Sequence, residues 1–87
     1  MVKTDLGNDV PEKIHYVVDA RGSACPGPLL EAKKAIAKVN IGEILEVQSS
    51  DIGTQTDLPA WADFMGHEYL GLVEEAGYAR LFIIRKK

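Results

Sequence analysis

The spacing of the apolar residues changes near residue 26, and this change constrains the fold more than any other feature. Residues 14–19 are β-branched and aromatic in large part, which suits a strand. Gly22 and Ser23 interrupt that pattern. Beyond them the apolar residues recur at helical spacing, at Leu29, Ala32, Ile36 and Val39. The sequence therefore predicts a strand over 14–19 and a helix over 26–38.

A second strand and a second helix follow. Leu45 and Val47 alternate with polar residues, which predicts a half-buried strand over 43–49. The helix after it has three candidate N-caps, Thr54, Thr56 and Asp57. Pro59 favours the latest cap, because a proline deeper in a helix removes a hydrogen bond. The predicted core stripe of this helix consists of Leu58, Trp61, Ala62 and Met65; Phe64 is also expected to pack, and Gly66 ends the helix.

The last third of the chain predicts a β-hairpin. Strands over 67–74 and 78–85 are separated by a short turn that contains Gly77. Residues 81–84 are apolar on both faces, so the last strand is expected inside the sheet. The order is strand-helix-strand-helix-strand-strand, and its crossovers are right-handed. It predicts an α/β two-layer sandwich: a mixed four-stranded sheet with two helices on one face.

Composition narrows the class of protein. A chain of 87 residues forms one domain, expected over 14–87 behind a flexible polar leader over 1–13. The sequence contains neither an apolar run long enough to span a membrane nor the apolar stretch of a signal peptide. A single cysteine fits a reducing compartment, so we expect a cytoplasmic protein. The net charge of −3 disfavours nucleic acid and anionic lipid as partners. We expect no metal and no cofactor, because metal-ligand spacing, a phosphate loop and a dinucleotide motif are all missing.

Cys25 is the candidate reactive residue. It precedes the first predicted helix, where free N–H groups and the helix dipole favour an anion. A thiol in such a position can have its pKa lowered from about 8.5 to about 3.5–7.5, which makes it a nucleophile. A buried structural cysteine is the alternative, and position alone leaves both interpretations open. His15 and His67 are candidate bases for this thiol, but ordinary polar roles are favoured for both.

The stretch from Asp19 to Pro28 resembles the Cys-Pro-x-Pro signature of the TusA/SirA-like sulfur-carrier family. The similarity continues in order through the later segments and covers nearly everything after residue 14. Those segments are Lys33-Lys34-Ala35-Ile36, Ile41-Gly42-Glu43, Asp51, Asp57-Leu58-Pro59, Gly66-His67-Glu68 and the tail from Tyr78 to Lys87. The resemblance implies the same two-layer fold. It also implies a sulfurtransferase that carries sulfane sulfur, as a persulfide or thiosulfonate, on Cys25.

Supporting roles are assigned by position. Pro26 and Pro28 are expected to fix the helix entry and keep the sulfur exposed. Arg21 and Lys33 are candidates for positive charge near a bound sulfur anion, against the alternative of solvated side chains. Asp51 and Asp57 are candidates for orienting partners or transferring protons, although helix capping is favoured for Asp57.

Partners and pathway follow from the resemblance. They are a sulfur donor of the rhodanese or cysteine desulfurase type and a thiol acceptor such as a DsrE-like carrier. Gly27, Ser50 and the pair Ser23-Ala24 depart from the common family pattern. The run from Cys25 to Lys34 is more similar to members that serve sulfur oxidation than to those that serve tRNA thiolation. A non-catalytic regulatory module and a nucleic-acid-binding domain are the competing hypotheses; the acidic balance disfavours the latter.

Overall fold

Six elements follow one another in the computed structural model. They are β1 (Tyr16–Asp19), α1 (Gly27–Ile36), β2 (Ile44–Ser49), α2 (Thr54–Met65), β3 (Glu68–Glu75) and β4 (Tyr78–Ile84). The structure describes Pro11 and residues 13–23 and 27–87. The predicted order of strands and helices is confirmed. The predicted leader lies almost entirely outside the described residues. Neither helix in the described part of the chain is long and apolar enough to cross a membrane.

The strands form one mixed sheet in the order β1-β2-β4-β3. β1 runs parallel to β2, whereas β4 is antiparallel to both of its neighbours. Val47 marks the register, since it pairs with Val18 on one side and Leu81 on the other. The interior position that the apolar run over 81–84 predicts for β4 is confirmed.

Both helices cover the same face of the sheet. Apolar side chains from alternate strand positions meet small residues of the helices there and form one buried core. From the sheet this core contains Val18, Leu45, Val47, Leu72, Ala79, Leu81 and Ile83; from the helix layer it contains Ala32, Ala35, Val39, Leu58 and Ala62. Small alanines let the helices approach the sheet closely, and the predicted two-layer sandwich is confirmed.

The opposite sheet face is less exposed than the alternation in β2 predicts. Glu46 points away from the helices, yet it is only 2% exposed. Arg80 of β4 binds its carboxylate, with Nε and Nη2 each 3.1 Å from a different oxygen. Phe82 on the same face is also buried, and Arg80 lies over its ring. The expectation of a half-buried β2 is therefore wrong, because a cross-strand ion pair lets a charged position be buried.

α1 ends earlier than the sequence predicts. Its last helical residue is Ile36, not Lys38, although Val39 is still buried in the core. Arg85, which follows β4, explains the difference. Its Nη1 donates to the carbonyl oxygens of Val39 at 2.7 Å and Ile36 at 3.4 Å. A distant side chain thus satisfies carbonyl groups that the end of a helix leaves free.

α2 begins earlier than predicted. The N-cap is Gly53, without a side-chain cap hydrogen bond, so Pro59 lies inside the helix and Asp57 in its first turn. The expectation of a later cap is wrong because a side-chain contact with the end of β2 fixes the first residue. The Thr54 hydroxyl is buried and lies 3.0 Å from the Ser49 hydroxyl at the end of β2. This contact outweighs the local preference against an internal proline.

The outer part of α2 also departs from the prediction. Leu58 and Ala62 are fully buried, and Trp61 packs against the core as expected. Met65 is 44% exposed and Phe64 is 85% exposed. The expectation that these two side chains pack in the core is wrong, because the helix turns their face toward solvent after its last buried residue.

β3 and β4 form the predicted hairpin. Glu75 pairs with Tyr78, and Gly77 adopts a φ of +86° in the turn between them. The register shifts between Tyr69 and Gly71, which marks an irregularity of the β-bulge type. Pairing of β3 with β4 continues beyond this irregularity, from Gly71 to Glu75.

Candidate functional site

The candidate site lies at one edge of the sheet. The carboxyl ends of the parallel strands β1 and β2 meet there, and the antiparallel β4 begins beside them. The chain leaves β1 at Asp19 and enters α1 at Gly27, so Cys25 lies in the sequence between them. Ala24, Cys25 and Pro26 are outside the described residues. The turn before them, up to Ser23, and the helix that begins at Gly27 are described.

A tight turn follows β1. The N–H of Ala20 donates to the carbonyl oxygen of Gln48 at 2.9 Å, which extends the pairing with β2 by one step. The N–H of Ser23 then donates to the Ala20 oxygen at 3.3 Å, and Gly22 has a φ of +85°. A positive φ at the third position is what a type II turn requires. The side-chain oxygen of Ser50 accepts a hydrogen bond from the Gly22 N–H at 2.8 Å.

Arg21 occupies the second position of this turn. Its Nε and Nη2 donate to the two carboxylate oxygens of Asp19, each at 2.9 Å. Its guanidinium carbon lies 5.0 Å from the centre of the Tyr78 ring, within cation–π range. The hydrogen bonds from Arg21 lower the pKa of the Asp19 carboxyl to about 2. The positive charge of Arg21 therefore interacts with both the Asp19 carboxylate and the Tyr78 ring.

The entrance to α1 approaches the turn closely. A Cβ atom placed on Gly27 would lie 3.0 Å from the Cβ of Ser23. Pro28, the second residue of the helix, is buried. Its side chain thus packs at the helix start. The first turn of α1 contains no acidic residue, so no helix carboxylate there opposes an anion at the helix start.

The two aspartates of the prediction follow β2. Asp51 donates its backbone N–H to the Ser49 hydroxyl at 3.1 Å, and its carbonyl oxygen accepts from Thr54 at 3.1 Å. Asp57 lies in the first turn of α2, where a negative charge suits the helix dipole. It does not occupy the N-cap position. The structure therefore places Asp51 on the β2–α2 connection, directly after Ser50, and Asp57 in the first turn of α2.

A cleft of about 290 Å³ opens at the same edge, between the β2–α2 connection and the β3–β4 hairpin. Its lining includes Ser50, Ile52 and Gln55 from one side and Glu75 and Tyr78 from the other. Ile52 is 74% exposed. The cleft combines polar and apolar groups at the edge where Arg21 contacts Tyr78.

Lys33 lies apart from this edge. It lines a separate groove of about 440 Å³ between α1 and α2, together with Ile36, Trp61, Phe64 and Met65. The groove is largely apolar, and Lys33 supplies a charge there. The structure thus places Arg21 at the sheet edge and Lys33 on the helix layer, so the two predicted cations lie on different surfaces.

Both histidines have structural contacts. His15 Nδ1 accepts a hydrogen bond from the backbone N–H of Ile44 at 3.0 Å. His67 Nδ1 accepts one from Lys86 at 3.1 Å, and its ring centre lies 5.9 Å from that of Trp61. Burial, with the nearby charges of Arg85 and Lys87, lowers the pKa of His67. These contacts agree with ordinary polar roles for both rings.

Sequence reasoning missed Ser50 and Tyr78 as site residues. Ser50 stands out in the sequence only as a departure from the family pattern, and Tyr78 only as the start of a strand. Their contacts with Gly22 and Arg21 join segments that are far apart in the chain. Local periodicity carries no signal for such contacts.

Comparison with known proteins identifies relatives over most of the chain. The family model described as sulfurtransferase TusA matches residues 16–86. The sulfur carrier protein TusA of Pseudomonas entomophila is 39% identical over 84 residues, which cover 97% of this chain and 96% of that protein. A provisionally named sulfur carrier protein of Archaeoglobus fulgidus is 45% identical over 71 residues, covering 82% and 97% respectively.

A solved structure shows the same architecture. The crystal structure of the SirA-like protein from Desulfitobacterium hafniense superposes with a TM-score of 0.68 at 29% identity, covering 84% of this chain and 100% of that one. The family match begins at the first residue of β1 and extends beyond β4, so it includes every described strand and helix. The chain belongs to the TusA family of sulfurtransferases.

Proposed function

We propose that this chain is a sulfur carrier that accepts a sulfane sulfur on Cys25 and passes it to the thiol of another protein. The observation that carries the proposal is the combination of family membership with a single cysteine, which lies in the sequence between β1 and α1. The described residues on both sides of Cys25 lie at one open edge of the sheet. This placement supports access by a partner.

The transfer needs two displacement steps. In the first, the Cys25 thiolate attacks the outer sulfur of a donor persulfide. A bond forms between Cys25 Sγ and that sulfur, the donor S–S bond breaks, and the donor leaves as a thiolate. In the second step, an acceptor thiolate attacks the outer sulfur and releases Cys25 as a thiolate. Sulfur moves without net oxidation or reduction, so the exchange itself consumes no redox cofactor.

The single cysteine protects the intermediate. A second thiol within reach would attack the persulfide, form a disulfide and release sulfide. This chain contains one cysteine, so that side reaction cannot occur within the molecule. A solitary cysteine therefore supports a carrier role better than a redox role.

Charge near the helix start supports an anionic sulfur. α1 begins two residues after Cys25 and has no acidic side chain in its first turn. We propose that Arg21 adds a partial positive charge at this edge, reduced by its pair with Asp19. Lys33 acts on the helix surface, toward a partner. Asp51, on the β2–α2 connection, and Asp57, in the first turn of α2, orient that partner or move protons.

Protein partners have an apolar surface to contact. Leu30, one turn into α1, is 49% exposed, and Phe64 and Met65 of α2 are exposed beside the groove that Lys33 lines. Such exposed side chains are typical of surfaces that bind other proteins. We propose a donor of the rhodanese or cysteine desulfurase type and an acceptor such as a DsrE-like carrier. The relay then acts in the cytoplasm, in sulfur oxidation rather than in tRNA thiolation.

Mass spectrometry tests the carrier function. The purified chain is treated with a protein persulfide donor or with tetrathionate, and the intact mass is recorded before and after dithiothreitol. The expected result is one adduct per chain, removable by the reductant and missing from Cys25→Ser. A Cys25 that reacts with iodoacetamide but forms no adduct with either donor would contradict the proposal.

The same variant separates a carrier from a regulatory module. In cells that lack the native protein, Cys25→Ser is expected to fail to restore the sulfur-dependent phenotype that the unchanged chain restores. Full complementation by Cys25→Ser would show that the activity does not need the thiol. Circular dichroism of the variant checks that its fold is retained.

A further inference from the structure

The groove between α1 and α2 is apolar and open. Ile36 of α1 lines one wall, and Trp61, Phe64 and Met65 of α2 line the other. Phe64 and Met65 are both exposed, Phe64 over most of its surface. An aromatic side chain that faces water forgoes the free energy that burial of its apolar surface provides. A protein surface that covers the groove recovers this free energy.

The two walls of the groove carry opposite charges. Lys33 lies on the α1 wall. Asp57 precedes Trp61 by four residues and Phe64 by seven, a spacing that places the three side chains on one face of α2. The groove therefore has a cation on the α1 side and an anion on the α2 side, with apolar groups between them.

Lys33 differs from the neighbouring lysines in its contacts. Lys34 pairs with Glu31 on the same helix at 3.7 Å, and Lys38 Nζ lies 5.7 Å from the centre of the Tyr16 ring. Among the described residues, no acidic side chain forms an ion pair with Lys33. Its charge can therefore pair with a carboxylate of another molecule.

The two helices run in the same direction. β1 is parallel to β2, and β3 is parallel to β2 as well, because both are antiparallel to β4. Each helix connects two parallel strands, so both helices begin at the same edge of the sheet. Lys33 lies six residues from the start of α1 and Asp57 three residues from the start of α2, a difference in level of about 5 Å. A lysine side chain spans this difference, and in a helix it points toward the N-terminus, toward the level of Asp57.

We propose that a second copy of this chain covers the groove, related to the first by a two-fold axis that runs along the groove. Such an axis keeps the direction of the helices and places α1 of each copy over α2 of the other. Lys33 of each copy then faces Asp57 of the other, and Phe64 of each copy faces the α1 wall of the other. An unrelated protein needs both charges at the matching spacing, whereas a second copy supplies them by symmetry.

The dimer is a resting form of the carrier. The groove includes the exposed side chains that we assign to contact with a donor or acceptor, so a second copy and such a partner compete for the same surface. This consequence rests on the proposed function. The association of two copies does not, because it involves no sulfur.

Sedimentation velocity of the full chain tests the association. Dithiothreitol is present throughout, so that a disulfide between two Cys25 side chains cannot produce a dimer. The unchanged chain is measured from micromolar to millimolar concentration, together with Lys33→Asp, Asp57→Lys and an equimolar mixture of these two variants. Lys38→Asp changes the net charge by the same amount as Lys33→Asp outside the groove and is the matched control. Circular dichroism checks that each variant is folded.

The unchanged chain and Lys38→Asp are expected to form dimers with the same dissociation constant. Lys33→Asp or Asp57→Lys alone brings like charges together twice in each dimer and is expected to weaken association by at least about tenfold. The mixture is expected to restore association, because a dimer of one copy of each variant contains one native pair and one reversed pair of opposite charges.

Three results would overturn the proposal. They are an unchanged chain that stays monomeric over the whole range, a mixture that associates no better than its two components, and a Lys38→Asp that weakens association as much as Lys33→Asp. If Asp57→Lys does not fold, Phe64→Ser and Lys33→Asp decide. Both are expected to weaken association, and a dimer that persists unchanged in both lies on another surface.

Sulfur uptake distinguishes this inference from the carrier function. A chain that takes up sulfane sulfur but never dimerises keeps the carrier function and loses the second copy. If Phe64→Ser then takes up sulfur from a protein donor more slowly than the unchanged chain, the groove belongs to that donor instead. A chain that dimerises through the groove but takes up no sulfur keeps this inference and loses the carrier function.

Discussion

Glu46 of β2 and Arg80 of β4 form a bidentate ion pair on the sheet face that the helices do not cover. Each carboxylate oxygen lies 3.1 Å from a guanidinium nitrogen, and Gln48 Nε2 donates to one of them at 2.7 Å. Glu46 is almost completely buried, whereas the Arg80 side chain is 24% exposed. Arg80 therefore supplies the positive charge that compensates the cost of burying the Glu46 carboxylate.

Removal of Arg80 is expected to destabilise the domain strongly. In Arg80→Met the Glu46 carboxylate stays buried without its cation, which costs about 3 kcal/mol of unfolding free energy. Urea denaturation measures the loss. The double variant Glu46→Met with Arg80→Met removes both charges and is expected to recover most of it. A double variant no more stable than Arg80→Met alone would show that packing, not charge, explains the loss.

Asp19 is expected to titrate far below an ordinary aspartate. Arg21 lowers the pKa of its carboxyl from 3.8 to about 2. The ion pair therefore contributes to stability above pH 3.8, and this contribution is lost as the pH falls through about 2. Carboxyl carbon shifts in NMR spectra report the midpoint.

Arg21→Gln is the variant that tests the cause. It is expected to return the titration midpoint of the Asp19 carboxyl toward its ordinary value, because the positive charge and the two guanidinium donors are removed. Lys34→Gln removes a cation that pairs with Glu31 on α1 and serves as the control. An Asp19 midpoint that stays low in Arg21→Gln would assign the shift to another group.

His67 is expected to make stability depend on pH in the mildly acidic range. Burial, Arg85 and Lys87 lower the pKa of its ring, so the unfolded chain binds the proton more readily than the folded one. The free energy of unfolding therefore falls as the pH decreases below about 6.5. The urea concentration at the midpoint of unfolding, measured from about pH 7 to about pH 5, gives the slope of stability against pH. His67→Gln, which cannot titrate there, is expected to show a shallower slope; an equal slope would assign the effect elsewhere.

Gly27 and Ser23 are expected to be coupled. Replacement of glycine by alanine at a position whose backbone suits both residues stabilises a protein by about 0.4–1 kcal/mol, because the unfolded chain loses conformational freedom. Here the added Cβ meets the Cβ of Ser23 at 3.0 Å, so Gly27→Ala is expected to give no gain. In a Ser23→Gly background the contact disappears and the gain returns. A double-mutant cycle from urea unfolding measures the coupling, and additive effects would contradict the close approach.

Much of the fold follows from local pattern. The change of period after β1 and the apolar run of β4 predict the order of elements and the central strand, since both depend only on which faces are apolar. The boundaries of the helices depend instead on contacts with side chains outside the helices. Arg85, far away in sequence, ends α1, and the Ser49–Thr54 contact at the end of β2 begins α2. Periodicity alone does not contain such information.

The candidate site is likewise predictable from the sequence only in part. Cys25 stands out in the sequence because it is the only cysteine and precedes a predicted helix. Ser50 and Tyr78 contact the turn that precedes it in the sequence; they lie at the ends of two other strands and reach this turn only through the sheet order. Phe64, which was expected to pack, lies on the surface because it follows the buried Ala62 by two residues and therefore lies on the opposite face of α2.

The position of β4 between β2 and β3 has a consequence for folding during synthesis. β4 is the last of the described elements to leave the ribosome, and until Ile84 emerges β2 and β3 share no neighbour. The nascent chain can form helices and the β1–β2 pair, but not the completed sheet, whose contacts are long-range and slow to form. A partner that recognises the edge formed by Arg21, Ser50 and Tyr78 thus encounters it only on chains translated past β4 and folded.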